Sequence, residues 1–222
     1  MFNLTTFKEL LIAALWTGLL SGLLLTAVQQ IQVIPTLLKA EVYEQNTSAL
    51  TESHEQPEWQ PENGWQRTAY TAAANISLGV GFSLLMGAIM CSKARPDNWR
   101  IGILWGMAGY LSFFVAPSLG LPPEVPGTLA AKLEDRQSWW LITVLDTGFG
   151  LSLLAFALTR TNQFFGAVLL VAPHLIGAPQ PEVAGSAAPD DLVQTFITAT
   201  ALANAIFWLA IGGLMGWFYK KS

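Results

Sequence analysis

Apolar residues in this chain come in long unbroken runs, not in the alternation of half-buried strands or the single stripe of a surface helix. Six runs can be drawn, at 10–34, 69–91, 101–119, 138–159, 163–177 and 192–219. A bilayer core ~30 Å thick takes ~20 apolar residues at ~1.5 Å each, and five of the runs meet that length. The fifth, 163–177, is short and Pro173 interrupts its end, which suits a tilted half-helix or a re-entrant segment. The pattern predicts an all-α fold: a polytopic membrane helical bundle of six spans, the fifth short, in one transmembrane domain covering 1–222. The first run continues from Leu10 to about Val28 with no small-x-small cleavage signal after it, so it reads as a retained span and not a signal peptide.

The longest connection, 35–68, is expected to be an acidic outer loop. Pro57, Pro61 and Gly64 argue against one continuous helix there. Lys and Arg set the orientation of the bundle. With the N-terminus inside, Lys8, Lys93, Arg95, Arg100, Arg160, Lys220 and Lys221 are cytoplasmic, against Lys39, Arg67, Lys132 and Arg136 outside. Both termini are then cytoplasmic, in what would be a bacterial inner membrane. The acids are more lopsided. Glu41, Glu44, Glu52, Glu55, Glu58, Glu62, Glu124, Glu134, Asp135, Glu182, Asp190 and Asp191 fall outside, and Asp146 alone falls within a span. Such a face is either a vestibule that concentrates cations or an ordinary solvated surface.

Composition agrees with the runs. Only 12% of residues are charged, about half the share usual in a soluble domain, and mean hydropathy is +0.43. One cysteine, Cys91, leaves no intrachain disulfide and no Cys-cluster metal site. No P-loop, Gly-x-Ser-x-Gly elbow or dinucleotide fingerprint is present, so the chain is not expected to be an enzyme or to hold a cofactor. Nucleic acid is not an expected partner; the lipid bilayer is. Most of the nine tryptophans fall near run boundaries, as interfacial anchors do.

Self-similarity suggests a repeat. Residues 67–85 align without gaps to 136–154, pairing Arg67 with Arg136, Tyr70 with Trp139, and Gly79 and Gly81 with Gly148 and Gly150. The odd runs share an ending, in which Pro35, Pro117 and Pro173 are followed by Glu41, Glu124 and Glu182. Together these point to three helical hairpins in parallel orientation, with the three glutamates ringing one mouth.

Polar groups inside a membrane are costly and face either a neighbouring helix or a wet path. Asp146 is a proton or cation site, or else a structural acceptor. Gln29, Gln30 and Asn75 line a translocation path or bond helix to helix. His54 lies among acids of the long connection, and His174 follows Pro173 at a run's end. Imidazole with carboxylate suits borderline divalent metals such as Co²⁺ or Ni²⁺. The expected outer metal set is Glu41, Glu44, His54, Glu124, His174 and Glu182.

Five strings bear a family resemblance: "LLIAALWTGLLSGLLLTAVQQIQVIPTLLKAEVYE" at 10–44, "EWQPENGWQRTAYTAAAN" at 58–75, "APSLGLPPEVPG" at 116–127, "RQSWWLITV" at 136–144 and "APHLIGAPQPEVAGSAAP" at 172–189. In order and over nearly the whole length, they resemble the CbtA family of predicted cobalt transporter subunits. The resemblance implies a permease subunit for Co²⁺ uptake linked to cobalamin supply. It also implies a small, His-containing, single-span partner (CbtB-like). The positions carried over are Gln29, Gln30, Glu41, Glu44, Arg67, Glu124, His174 and Glu182. The segment before the Trp-x-Pro-x-x-Gly-Trp string is often His-rich in the family; His54 stands alone here. The alternatives are a non-transporting scaffold that anchors the partner and a transporter of another cation such as Ni²⁺.

Overall fold

The computed structural model describes residues 4–50, 61–93 and 98–219. Among them the chain forms seven helices. These are α1 (Leu4–Gln32), α2 (Ile34–Leu50), α3 (Trp65–Lys93), α4 (Trp99–Ser118), α5 (Leu133–Phe156), α6 (Arg160–Ile176) and α7 (Asp190–Phe218). Five of them, α1, α3, α4, α5 and α7, are long and apolar enough to cross a membrane. The short fifth run becomes α6, whose 17 residues extend ~25 Å, less than the ~30 Å core. Pro173 does not break it. That proline lies in the last turn, and Gly177, at φ 87°, ends the helix; Thr159 caps the start by accepting from Asn162 N at 3.3 Å.

Two helices depart from the expected pattern for identifiable reasons. The connection 35–68 is not all loop, since its first half is α2. Pro35 cannot donate to Ile31 O, so α1 breaks at Val33. The same proline is tolerated in the first turn of a new helix, and no breaker follows until Pro57. In α4, Pro117 likewise cannot donate to Phe113 O. The turn before it, Leu111–Val115, widens to π-helical geometry and absorbs the missing bond.

Polarity in the molecule is inverted relative to a water-soluble fold. Buried positions include Thr17, Ser21, Thr26, Asn75, Ser83, Ser112, Thr143 and Thr147, while Leu20, Leu23, Leu24, Leu141, Phe149 and Phe164 are exposed along their helices. Phe149 is 64% exposed and Phe164 66%. Water would penalise such a surface, and lipid tails do not. The protein is a multi-pass membrane protein with an all-α helical bundle.

By backbone packing the chain divides into two compact units. The first comprises Met1–Ile34, His54–Met107 and Leu202–Ser222. In it α1 and α3 run antiparallel at backbone contact. A Cβ at Gly18 would overlap the backbone of Val80, and one at Gly22 would lie 2.5 Å from Ile76 Cα. The start of α4 lies against the end of α7 in the same way, with Gly102 facing Gly212 and Gly216. Phe82 packs on Trp208 with centroids 4.7 Å apart and the rings tilted by 47°, and Met90, Ile211 and Met215 are fully buried.

The second unit comprises Pro35–Ser53 and Ala108–Ala201. Here α5 and α6 form an antiparallel hairpin, with Gly150 and Gly166 facing each other and Trp139 Nε1 donating to Pro173 O at 3.3 Å. The connections on either side of that hairpin are tied together: Leu129 N donates to Gly185 O at 2.9 Å and Ala187 N to Gly127 O at 3.1 Å. The aligned segments of the expected repeat use different faces. Gly79 packs against Gly18 while Gly81 is open; Gly148 is nearly open while Gly150 packs.

The α1–α3 approach generates a stability prediction. Gly18→Val should lower the thermal unfolding midpoint in detergent, at a cost of about 1–3 kcal/mol from overpacking. Gly81→Ala, where nothing lies within 4 Å, should not lower it. Equal midpoints for the two variants would contradict the close packing of α1 on α3.

Candidate functional site

In the first unit, the last two turns of α1 and the first turns of α3 hold two hydrogen-bonded polar clusters. Asn75, buried on α3, donates through Nδ2 to Thr26 Oγ1 at 3.0 Å and to Gln29 Oε1 at 2.7 Å. Gln30 Nε2 donates to Thr68 Oγ1 at 3.0 Å. The two hydroxyls are anchored in turn on backbone carbonyls, Thr26 on Gly22 O at 2.8 Å and Thr68 on Gly64 O at 3.0 Å. Of the three expected residues, Gln29 and Asn75 therefore meet in one cluster, while Gln30 forms a second with Thr68. Thr26 and Thr68 join them unannounced. A signal for them existed: Thr26 precedes Gln29 and Gln30 by three and four residues, and Thr68 precedes Asn75 by seven, so each lies on its partner's helix face.

This geometry depends on the glycines. Amide and hydroxyl side chains can bridge two helices without long reach only where the backbones are close, and Gly22 lies one turn before Thr26. Each buried polar atom in the clusters gains a protein partner that hydrocarbon could not provide.

In the second unit, α2 carries Glu41 and Glu44 one turn apart, both half-buried. Glu44 lies beside the Gly127 turn: a Cβ placed there would be 3.3 Å from Glu44 Cβ. Glu124, three residues earlier in that connection, is ion-paired with Arg136 from the first turns of α5. His174, in the last turn of α6, meets Trp139 edge-on at 6.1 Å between ring centroids. Glu182 is exposed in the connection to α7. His54 lies outside the described residues.

Among the described residues no group of three or more His, Cys, Asp or Glu side chains is placed to hold a metal ion. Gln180 Nε2, rather than an acid, bridges the two connections, donating to Gly120 O at 3.4 Å.

Asp146 is the fourteenth of the 24 residues of α5, near mid-helix. It is half-buried at the margin of the face formed by Trp139, Thr143, Thr147 and Gly150. Its carboxylate forms no hydrogen bond or ion pair among the described residues. A lone carboxylate at that depth is costly unless it meets water or a cation.

A family model described as "Probable cobalt transporter subunit (CbtA)" matches residues 7–220. No curated protein and no solved structure matches the chain. The match runs from the first turn of α1 past the end of α7, so it takes in the amide clusters, the carboxylates of α2 and Asp146 alike. The chain belongs to the CbtA family of probable cobalt transporter subunits.

Proposed function

We propose that the chain is the membrane permease subunit of an uptake system that moves Co²⁺ inward for cobalamin synthesis. The observation that carries this reading is the pair of amide–hydroxyl clusters, Gln29–Asn75–Thr26 and Gln30–Thr68, at one end of a membrane helix pair, in a family described as cobalt transporter subunits. Amide and hydroxyl oxygens replace part of a cation's hydration shell without holding it irreversibly, as a transport site must.

The outer face collects the ion. Glu41, Glu44 and Glu182, with His54 and His174, raise the local cation concentration. Glu124 is a ligand in reserve. Its ion pair with Arg136 is partly exposed, a kind worth under ~1 kcal/mol, so an arriving dication can displace the guanidinium. Within the membrane, the amides of the first unit and Asp146 of the second are each assigned as polar groups that act on the ion. The membrane potential supplies ~2.3 kcal/mol per charge per 100 mV, or roughly twice that for a dication.

The topology has six crossings, with α6 as the short fifth. The α5–α6 hairpin supports it: Trp139, the seventh residue of α5, bonds to Pro173 in the last turn of α6, so α6 returns to within ~9 Å of the level where α5 begins. Both termini are then cytoplasmic in a bacterial inner membrane. A small single-span, His-containing subunit completes the system and adds imidazoles that this chain, with two histidines, has in short supply.

Two measurements test the reading. Cells producing the chain with its partner should accumulate Co²⁺ saturably, and Asp146→Asn should cut the rate about tenfold or more, the equivalent of ~1.4 kcal/mol in the barrier. Uptake no faster than in cells lacking the chain would overturn transport; full activity of the variant would remove Asp146 from the path. Separately, a fluorescent-protein fusion at the C-terminus should fluoresce and a phosphatase fusion there should be inactive. The opposite pattern would exclude six crossings from a cytoplasmic N-terminus.

A further inference from the structure

Gln29 and Gln30 are neighbours in sequence but opposites in hydrogen bonding. A backbone carbonyl only accepts, so it fixes the direction of every hydroxyl and amide chained to it. Thr26 Oγ1, 2.8 Å from Gly22 O, must donate there and is left with lone pairs. The Asn75 atom 3.0 Å from Thr26 Oγ1 is therefore its amide nitrogen. That same nitrogen lies 2.7 Å from Gln29, which must answer with Oε1. On the other branch Gly64 O takes the proton of Thr68 Oγ1 at 3.0 Å, so Gln30, 3.0 Å away, must donate through Nε2.

The two branches leave different atoms free. Gln29 Oε1 already accepts from Asn75 Nδ2, so one of its two lone pairs is taken and the oxygen is held against α3. Gln30 has given an N–H to Thr68 and retains Oε1, with no partner among the described residues. The amides are also pulled apart, because Asn75 and Thr68 stand seven residues, or ~10 Å, apart along α3. A cation is bound by oxygen lone pairs, so the unengaged Gln30 oxygen is the better ligand and the two glutamines are not equivalent.

We propose that Gln30, through Oε1, is an amide ligand for the divalent cation at this end of the α1–α3 pair, and that Gln29 is a positioning residue. Thr68 is the second positioning residue: by accepting from Gln30 Nε2 it turns the Gln30 oxygen away from α3. The assignment rests on the cation-permease reading of the same clusters, and it names which oxygen faces the ion and what holds it there. Serine at 68 would keep that function, since a hydroxyl suffices; valine, of the same shape, would not.

The test is Co²⁺ binding to the purified full chain in detergent, by equilibrium dialysis, alongside uptake by the same variants in cells. Gln30→Leu should weaken binding about tenfold or more, the usual scale for losing a bond to a charged group, while Gln29→Leu should cost several times less. Thr68→Val should approach the loss of Gln30→Leu, and Thr68→Ser should restore binding to within about threefold. Unfolding midpoints of the two Thr68 variants should agree, which separates positioning from damage to the fold. Equal losses for the two glutamine variants, unaltered binding by Gln30→Leu, or equal binding by the two Thr68 variants would overturn the assignment. A wild-type chain that binds no Co²⁺ would overturn both this assignment and the permease reading. Binding that sorts as stated without uptake would refute transport and leave the ligand assignment standing.

Discussion

Backbone contact between α1 and α3 is the constraint on which the rest of the first unit depends. Gly18 and Gly22 let the two helices meet without intervening side chains, and that proximity brings Thr26, Gln29 and Gln30 within hydrogen-bond reach of Asn75 and Thr68. In lipid there is no hydrophobic force between helices, so close packing and interhelical hydrogen bonds carry the association. The same contacts that hold the pair together fix the direction of its amides. Structure and chemistry share the same contacts here: a side chain on Gly18 or Gly22 would push apart the groups proposed to meet the ion.

The second unit solves a different problem. Its connections are polar and ordered, tied by backbone bonds between the Gly127 and Gly185 turns and by Gln180 across to Gly120. The carboxylates on this unit are individually placed, Glu44 against the Gly127 turn and Glu124 against Arg136, with no shared focus among the described residues. That arrangement suits a surface that attracts ions and releases them. A tight resident metal site needs three or more converging ligands and a satisfied outer shell. The shortage of such a set here is what gives the proposed partner chain a chemical role.

Much of the fold was legible in the residues. Run length gave five of the spans to within a few residues, because hydrocarbon thickness leaves little freedom. The fifth run is short, as its length indicated; Pro173 forfeits the bond to Leu169 O but lies so near the end of α6 that only one turn follows it. Helix α2 was not legible as such: the Pro57, Pro61 and Gly64 signals come late in the connection, and a proline at the start of a helix looks the same in sequence as one that ends it. The expected repeat aligned glycines by position, but packing depends on which face turns inward, and Gly79 with Gly150 bear the contacts instead of their aligned partners. Gln29, Gln30 and Asn75 were identifiable as polar groups in costly places. Their pairing was not, because it follows from the register between two helices separated by more than thirty residues of sequence.

The central claim is that this bundle gives a divalent cation a route through the bilayer, and flux through a defined membrane tests it most directly. The purified chain should be reconstituted with the proposed single-span partner into sealed vesicles holding an inside-negative potential, and Co²⁺ entry followed with an internal indicator. The account predicts entry that saturates with external Co²⁺ and accelerates as the potential is made more negative. Entry no faster than into protein-free vesicles at every potential would contradict it.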